Sequence, residues 1–220
     1  MIIGLVLLGL VAVLLFFGIA ERVFKSFGVA VWLAFVMIGV LIGTAFIPTF
    51  TVGAVELNVA GFFAPILFAV VFFVLAVRLR EAGRAAVVTA VTAALYISVW
   101  MLIAPITSDT VCVIIIGFLC GAVDYLVGKT KIAALCGIFA GMPIGDVISS
   151  AVGMYVYNTP LTIGTPSTFD AIILAAVTAV VIFESVSAIK RTMNHRAKAK
   201  ALIETAEEFD PDEYKKYFDK

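Results

Sequence analysis

Residues 132–155 read IAALCGIFAGMPIGDVISSAVGMY, and this stretch decides the fold. It contains a single charged residue, Asp146, and it directly follows Lys129 and Lys131. The hydrocarbon core of a bilayer is about 30 Å thick and requires about 20 helical residues per crossing, so this stretch is long enough to cross as a helix. Outward from it in both directions, apolar stretches of similar length alternate with short polar connections.

The composition of the whole chain favours a lipid environment. Hydrophobic residues make up 63% of the 220 residues and charged residues 14%, with a mean hydropathy of +1.17. A soluble domain of this size cannot keep so much apolar surface away from water. The apolar runs are long and continuous, whereas a membrane β-barrel has alternating segments of about ten residues. We therefore predict seven membrane-spanning helices, at about residues 2–20, 29–47, 62–77, 85–103, 111–127, 132–155 and 171–189.

The positions of Lys and Arg predict the orientation of these helices. All 15 lie in four stretches, at residues 22–25, 78–84, 129–131 and 190–220. The intervening connections, near residues 48–61, 104–110 and 156–170, have no basic residue and one acidic residue each: Glu56, Asp109 and Asp170. Connections rich in Lys and Arg tend to stay in the cytoplasm. The sequence thus predicts an all-α polytopic bundle in a prokaryotic inner membrane, with the N-terminus outside and the C-terminus cytoplasmic.

The first span is predicted to be a retained helix. No basic residue precedes it, and no small-x-small cleavage site precedes Glu21, so it lacks two features of a signal peptide. The alternative, a cleaved leader, would leave six spans.

Several classes of site are disfavoured by composition. The formal net charge is zero, so the chain has no basic footprint for nucleic acid. Cys112, Cys120 and Cys136 all lie in predicted spans, without a CxxC motif or metal-ligand spacing, and are expected to be small packing residues. His195 lies in the basic tail and is expected to be solvated. We predict no metal and no cofactor.

Small residues four apart predict close contacts between helices. Such pairs occur at Gly39 and Gly43, at Gly117 and Gly121, and as a ladder at Gly137, Gly141 and Gly145. Glycines at this spacing let two backbones approach closely. Two connections are also predicted to be ordered: residues 48–61 as a short hairpin or a re-entrant piece, and residues 156–170 as an external loop.

The chain is predicted to divide into a bundle, residues 1–189, and a cytoplasmic tail, residues 190–220. Basic residues just after the last span would attract anionic lipid head groups. Farther on, Asp210 and Pro211 have the residue types of a helix start and predict a short helix. That helix would dock on the body, lie on the membrane or bind a cytoplasmic protein partner; the alternative is a tail that is only solvated.

Three acidic residues lie inside predicted spans and are candidate functional residues. A carboxylate at membrane depth costs at least about 2.5 kcal/mol on insertion scales. From a rise of 1.5 Å per residue, Asp124 and Glu184 are predicted to lie roughly 6–9 Å inside the cytoplasmic edge, in one layer. Asp146 lies roughly 20 Å from that edge. Asp124 and Glu184 would form an inner relay, or else would simply reach the interface.

The surroundings of Asp146 predict a break in the sixth helix. Gly141, Pro143 and Gly145 precede it closely, and proline removes a backbone N–H from a helix. Broken helices at membrane depth commonly form substrate or ion sites. Polar neighbours are expected from the fourth span, where Thr89, Thr92 and Tyr96 recur on one face. The alternative is a kink that serves packing only.

Two families share short motifs with this chain. Ile144-Gly145-Asp146, together with Asp124-Tyr125, resembles the GxGD motif of intramembrane aspartyl proteases, which implies two aspartates that share a proton. Here position 143 is Pro where the motif has Gly, and the two aspartates are offset by about 15 Å of helix.

Residues 40–155 resemble a prokaryotic family of small multi-pass membrane proteins. The resemblance lies in Glu56 to Gly61, which leads to Pro65, and in the glycine-rich stretch that ends at Asp146. It marks Asn58 as a further candidate site residue and implies no particular activity. A retinal protein is excluded, because the last span has no lysine for a Schiff base.

The sequence therefore favours a small-solute or ion carrier that uses protons and is not an enzyme. Its candidate binding residues are Asp146, Gly141, Pro143, Gly145, Asp124, Glu184, Asn58 and Tyr96. The alternatives are a membrane scaffold whose tail binds a partner, and a GxGD-like protease. The lipid bilayer is a predicted partner, and nucleic acid is not expected.

Overall fold

The architecture is taken from a computed structural model, which describes residues 2–18, 21, 31–53, 55–157 and 160–207, with side chains as far as residue 199. Seven α-helices dominate the described residues. They are α1 (Ile2–Phe16), α2 (Val31–Ala45), α3 (Ala64–Arg78), α4 (Ala82–Ile103), α5 (Asp109–Gly128), α6 (Lys131–Tyr157) and α7 (Pro166–Glu207). Three short strands, β1 (Phe50–Val52), β2 (Val55–Leu57) and β3 (Leu161–Ile163), and a π-helical turn, Val59–Phe63, complete the described fold.

Five of the helical segments are long and apolar enough to cross a membrane. They are Val59–Arg78, Ala82–Ile103, Asp109–Gly128, Lys131–Val156 and Pro166–Ala199. The first begins with the π-helical turn, which lengthens the third predicted span, and the fifth span is also longer than predicted. The helices α1 and α2 are apolar but have 15 residues each, about 22 Å at 1.5 Å per residue. Each predicted span therefore has a helical counterpart, but two of them are shorter than predicted.

The stretch that opened the sequence analysis forms α6, the central helix of the fold. In its most apolar 18-residue window 78% of the residues are buried, against 22–44% for the other four long helices. It packs against α3, α4, α5 and β3, and its contact with α4 is the most extensive in the fold. A helix enclosed on several sides can bury a carboxyl group that a helix facing lipid could not.

Glycines bring α4 and α6 together. A Cβ atom on Gly141 would lie 2.6 Å from the Thr89 carbonyl oxygen, and one on Gly145 would lie 3.0 Å from the Tyr96 side chain. Gly137 meets Val88 in the same way. The predicted ladder is therefore a contact surface between helices.

The other two predicted glycine pairs differ from each other. A Cβ atom on Gly117 would lie 2.7 Å from Leu174, and one on Gly121 would lie 2.6 Å from the Ala175 carbonyl oxygen, so this pair contacts α7. Gly39 and Gly43, on α2, meet nothing within 4 Å among the described residues. They are exposed, so the predicted contact at this pair is absent from the described fold.

A small sheet covers one end of the bundle and joins two distant connections. Strands β1 and β2 pair antiparallel around Gly53, whose φ of +65° suits a tight turn. Strand β3 then pairs parallel with β2, with Glu56 opposite Thr162. The predicted hairpin at residues 48–61 is thereby confirmed, and a re-entrant piece is not needed. The all-α prediction lacked this sheet.

Contacts between connections distinguish the two ends of the bundle. The sheet joins the connection after α2 to the connection after α6. At another position, the Thr130 hydroxyl donates to Glu81 Oε2 at 2.7 Å and joins the connection after α5 to the connection after α3. Two of the three connections predicted to be external are therefore paired with each other, and so are two of those predicted to be cytoplasmic.

The predicted break at Pro143 is wrong, because α6 is one uninterrupted helix from Lys131 to Tyr157. Pro143 is fully buried within it. Proline removes one hydrogen bond and crowds the carbonyl group four residues earlier, a local cost that extensive packing around the helix can offset.

The last helix is much longer than the predicted span. It continues through residues 190–207, where Lys, Arg and Ala are frequent, since the end of an apolar stretch does not end a helix built from good helix formers. The chain divides into two compact units, Met1–Ile182 and Phe183–Lys220. The predicted short helix after Asp210 lies outside the described residues.

Candidate functional site

The Asp146 carboxyl group accepts hydrogen bonds from three sides. Oδ1 accepts from the Tyr96 hydroxyl at 2.9 Å and from the Thr168 hydroxyl at 2.7 Å. Oδ2 accepts from the backbone N–H of Gly164 at 2.7 Å. These donors come from α4, from α7 and from the loop after β3. Asp146 is only 4% exposed, so this set of donors replaces the water that a carboxylate would otherwise require.

The loop after β3 is shaped to present the Gly164 amide. Gly164 has a φ of +74° and is buried. Thr165 then begins α7: its hydroxyl oxygen accepts from the Thr168 N–H at 3.2 Å, and Pro166 occupies the first helical position. Gly61 packs directly on the Gly164 carbonyl group from the opposite side. The amide is held in place by the sheet and by the start of α7.

Asp124 has a much poorer set of partners than Asp146. Its Oδ1 lies 2.6 Å from the Thr92 hydroxyl, while Oδ2 has no hydrogen-bond partner among the described residues. The side chain is 0% exposed. The same Thr92 hydroxyl also lies 2.8 Å from the Val88 carbonyl oxygen. A hydroxyl has one proton, so Thr92 can donate to only one of these two acceptors at a time.

The two aspartates therefore suit different protonation states. Three donors around Asp146 suit an ionised carboxylate, which only accepts. At Asp124 a protonated acid would donate to Thr92, whose own proton would then go to the Val88 carbonyl group. No lysine or arginine is among the partners of either aspartate in the described part of the chain. The site thus combines, within one bundle, a buried acid with three hydrogen-bond donors and a buried acid with one.

Helix α4 links the two carboxyl groups. Thr92 and Tyr96 are four residues apart, and therefore face the same side, one turn apart along the helix. The predicted polar face of the fourth span is confirmed at these two positions, because they contact the two aspartates. The third member, Thr89, donates to the Ala85 carbonyl oxygen of its own helix at 2.8 Å. We call Asp124, Thr92, Tyr96, Asp146 and Thr168 the polar line.

The other predicted site residues occupy different positions. Gly141 and Gly145 form the α4–α6 contact that brings Thr92 and Tyr96 close to α6. Pro143 is buried inside α6 without a polar atom to offer. Glu184 belongs to the second compact unit, so its predicted pairing with Asp124 stays a prediction.

Asn58 orders the connection that covers the site. Its side-chain oxygen accepts from the N–H groups of Ala60 at 3.0 Å and Gly61 at 3.2 Å, which caps the π-helical turn. Its side-chain amide donates to the Thr49 hydroxyl at 3.1 Å, and its backbone N–H donates to the Ile163 carbonyl oxygen. Asn58 thus acts on Asp146 indirectly, through the loop that ends at Gly164.

We expect Asn58→Ala to destabilise the protein by about 1 kcal/mol, the usual cost of losing a capping side chain. Asn58→Asp should lose less, because the carboxylate keeps the acceptor for both N–H groups. Thermal unfolding in detergent, with the two variants side by side, checks this. Equal losses in the two variants would contradict the capping role.

Three residues of the site were missed by sequence reasoning: Gly164, Thr165 and Thr168. A signal was present in Thr165-Pro166-Ser167-Thr168, since Thr followed by Pro is typical of a helix start. It places the beginning of α7 at residue 166, five residues before the predicted span, and it brings Thr168 into the helix. Ser149, three residues after Asp146 on α6, is buried as well.

The structure does not bring Asp124 and Asp146 together as a catalytic pair. Each aspartate has its own partners, and a shared proton requires direct contact between the two carboxyl groups. Among the described residues, no three His, Cys, Asp or Glu side chains are grouped so that they could hold a metal ion. Cys112, Cys120 and Cys136 are buried and free.

A family model described as YphA-like integral membrane protein matches residues 5–202, which includes every residue of the polar line. Neither a curated protein nor a solved structure matches the chain significantly.

Proposed function

Because this chain belongs to the family of YphA-like integral membrane proteins, we propose that it is a multi-pass carrier that moves protons along the polar line. The observation that supports this most directly is the pair of buried aspartates with opposite hydrogen-bond environments, joined through one face of α4. Ionisable groups buried in a membrane bundle are costly and commonly mark ion and proton pathways. A purely structural role would not require two of them.

The proposal includes seven crossings, with the N-terminus outside and the C-terminus in the cytoplasm. Lys and Arg avoid the connections that the sheet joins and occur in those that Thr130 and Glu81 join. This separation of charge between the two ends supports the orientation, by the preference of basic connections for the cytoplasm. Helices α1 and α2 would cross as short helices, with local thinning of the bilayer.

Proton movement would begin at Asp146. When ionised, it accepts a hydrogen bond from the Gly164 N–H at Oδ2. A proton on Oδ2 would face that N–H as a second donor. Protonation would therefore weaken the tie between α6 and the loop after β3 and would open the external side. The proton would then pass along α4 to Asp124, which suits the protonated form. The step from Tyr96 to Thr92 spans one turn, about 6 Å along the axis, so it requires a movement at the α4–α6 contact or water between them.

Replacing Tyr96 by Phe tests the line without removing a carboxyl group. The change removes one hydroxyl and keeps the ring, which stacks on Trp100 with centroids 6.1 Å apart. A hydrogen bond to a charged group contributes about 1.5–3 kcal/mol, so proton flux should fall by about tenfold or more. The measurement is acidification of vesicles that contain the purified protein and a pH-sensitive dye, under an imposed membrane potential.

Tyr155→Phe is the matched control, because Tyr155 is 84% exposed and lies on the same side of the membrane as the sheet in this topology. Its flux should equal that of the unchanged protein. Unchanged protein that acidifies vesicles no faster than protein-free vesicles would refute the proposed function.

A further inference from the structure

A pocket of about 300 Å³ lies at the end of the bundle that carries the sheet. Trp100 and Met101 line it from α4, Ala104 from just after that helix, Ser149 and Ser150 from α6, and Pro160 from the approach to β3. Its volume is at the small end of the range of about 300–1,000 Å³ for ligand pockets. Ser149 follows Asp146 by three residues on α6, so the pocket begins about one turn from the carboxyl group of the site.

Ser149 supplies a polar group that nothing in the described residues satisfies. The residue is 3% exposed, and its hydroxyl has no hydrogen-bond partner there. Neighbouring Ser150 is different, because its hydroxyl donates to the Thr162 carbonyl oxygen at 2.6 Å. A buried hydroxyl without a partner is energetically costly, because it has lost its hydrogen bonds to water. A ligand with N–H donors would remove that cost by donating to the Ser149 oxygen.

The charge around the pocket favours a cation. Asp146 is held by two hydroxyls and one amide, and none of its partners among the described residues is positively charged. Glu56 approaches Thr162 of β3, at 3.3 Å from its hydroxyl, and adds a second acidic group at this end. Because buried charges act over longer distances than charges in water, the acid one turn away makes the pocket attractive to a positive group.

The remaining lining suits an organic body. The indole ring of Trp100 stacks on Tyr96, nearly parallel at 5°, and an ammonium group is attracted to the face of such rings. Met101, Ala104 and Pro105 provide apolar surface beside it. A bare metal ion would leave this surface uncovered, whereas a small alkyl chain would cover it.

We propose that this pocket binds a small organic cation, an ammonium group on a short apolar body, and that this cation is the solute of the proposed carrier. The ammonium group would donate to Ser149 and lie near Asp146, with the alkyl part against Met101 and Ala104. The identity of the cation as the transported solute rests on the proposed function; the binding site itself does not.

The experiment measures binding of n-butylammonium to purified protein in lipid nanodiscs. The chain has two tryptophans, so Trp32→Phe leaves Trp100 as the single fluorescent reporter. n-Butanol is the neutral probe of the same shape, and n-butyrate is the anionic one. We expect a saturable change in Trp100 emission with n-butylammonium, and at least tenfold weaker responses to n-butanol and n-butyrate.

Three variants locate the site. Ala104→Phe fills the pocket and should abolish the response. Ser149→Ala removes only the hydroxyl and should weaken binding of n-butylammonium severalfold. This smaller change still tests the site if Ala104→Phe does not fold. Asp146→Asn should reduce the preference of the pocket for n-butylammonium over n-butanol. A response shared equally by the cation and n-butanol, or one that persists in both Ala104→Phe and Ser149→Ala, would overturn the proposal.

Acidification of closed vesicles that contain the same purified proteins separates this inference from the proposed function. Binding that follows the expected pattern, without proton flux, would uphold the site and refute the carrier. Proton flux without cation-selective binding at Trp100 would refute the site and leave the carrier standing.

Discussion

Asp146→Asn is expected to reduce proton flux into vesicles to the level of protein-free vesicles. Asparagine has one side-chain oxygen in place of two. If that oxygen faces Tyr96 and Thr168, the NH₂ group faces the Gly164 N–H, and the Gly164 N–H loses its acceptor; if the amide is rotated, the two hydroxyls lose theirs. It also cannot release or take up a proton. The change therefore removes both the charge that the three donors stabilise and the group that the proposed mechanism protonates.

The same variant should loosen the loop that the carboxylate holds. Leaving the Gly164 N–H opposite another donor costs about 1–3 kcal/mol locally. We expect faster hydrogen exchange in the segment around residues 160–168 than in the unchanged protein, while α6 itself remains protected. Flux and hydrogen exchange together test the idea that one carboxyl group controls both proton uptake and the external loop.

Asp109→Asn is the matched control for Asp146→Asn. Asp109 is an exposed acidic residue in the first turn of α5, on the side predicted to be external. It has the same chemistry, but it lies outside the polar line. Its flux and its exchange pattern should match those of the unchanged protein. Normal flux in folded Asp146→Asn protein would sink the mechanism outright.

The helices could be predicted from the sequence because a long apolar stretch in lipid has few possible structures. Every crossing must satisfy its own backbone, so a long apolar stretch has one solution, a helix. Residues 132–155 illustrate this: the helix found there extends beyond them by one or two residues at each end. The ends of α7 were harder to predict. Apolar composition marks where lipid ends, and helix-forming Lys, Arg and Ala continue the helix beyond that point.

The candidate site was predictable only in part. Burial of Asp124 and Asp146 followed from their place in apolar stretches, and the spacing of Thr92 and Tyr96 placed both on one face. The partners from elsewhere in the chain could not be derived, because they depend on which helices are neighbours. The pairing of β3 with β2, which places Leu161 opposite Val55, positions Gly164 beside Asp146, and Thr168 follows in the first turn of α7. Pairing between residues so far apart in the sequence leaves no local pattern.

Pro143 shows how a correct local rule can give a wrong structure. Proline does remove a hydrogen bond, and in an exposed helix the cost is about 3 kcal/mol or more. Helix α6 is enclosed by α3, α4, α5 and β3, so its packing opposes any unwinding. The functional consequence is that Asp146 is displayed by an intact helix, and its polar partners come from neighbouring elements rather than from freed carbonyl groups of α6.

The second large effect is expected at Gly141, where α6 packs against α4 beside the polar line. Valine there would place its Cβ 2.6 Å from the Thr89 carbonyl oxygen and 2.7 Å from the Thr92 Cβ. One of those atoms belongs to backbone, so rotation of a side chain cannot relieve the contact and the two helices must separate. Overpacking of this kind costs about 1–3 kcal/mol, and more where backbone must move.

Gly43→Val makes this prediction specific, because it introduces the same side chain into another apolar helix. No described atom lies within 4 Å of a Cβ at Gly43, so valine should be accommodated there. We expect the melting temperature in detergent to fall substantially in Gly141→Val and to remain unchanged in Gly43→Val. Proton flux should fall only in the first variant, since separating α4 from α6 moves Tyr96 away from Asp146. Equal stability in the two variants would show that the α4–α6 contact does not hold the polar line together.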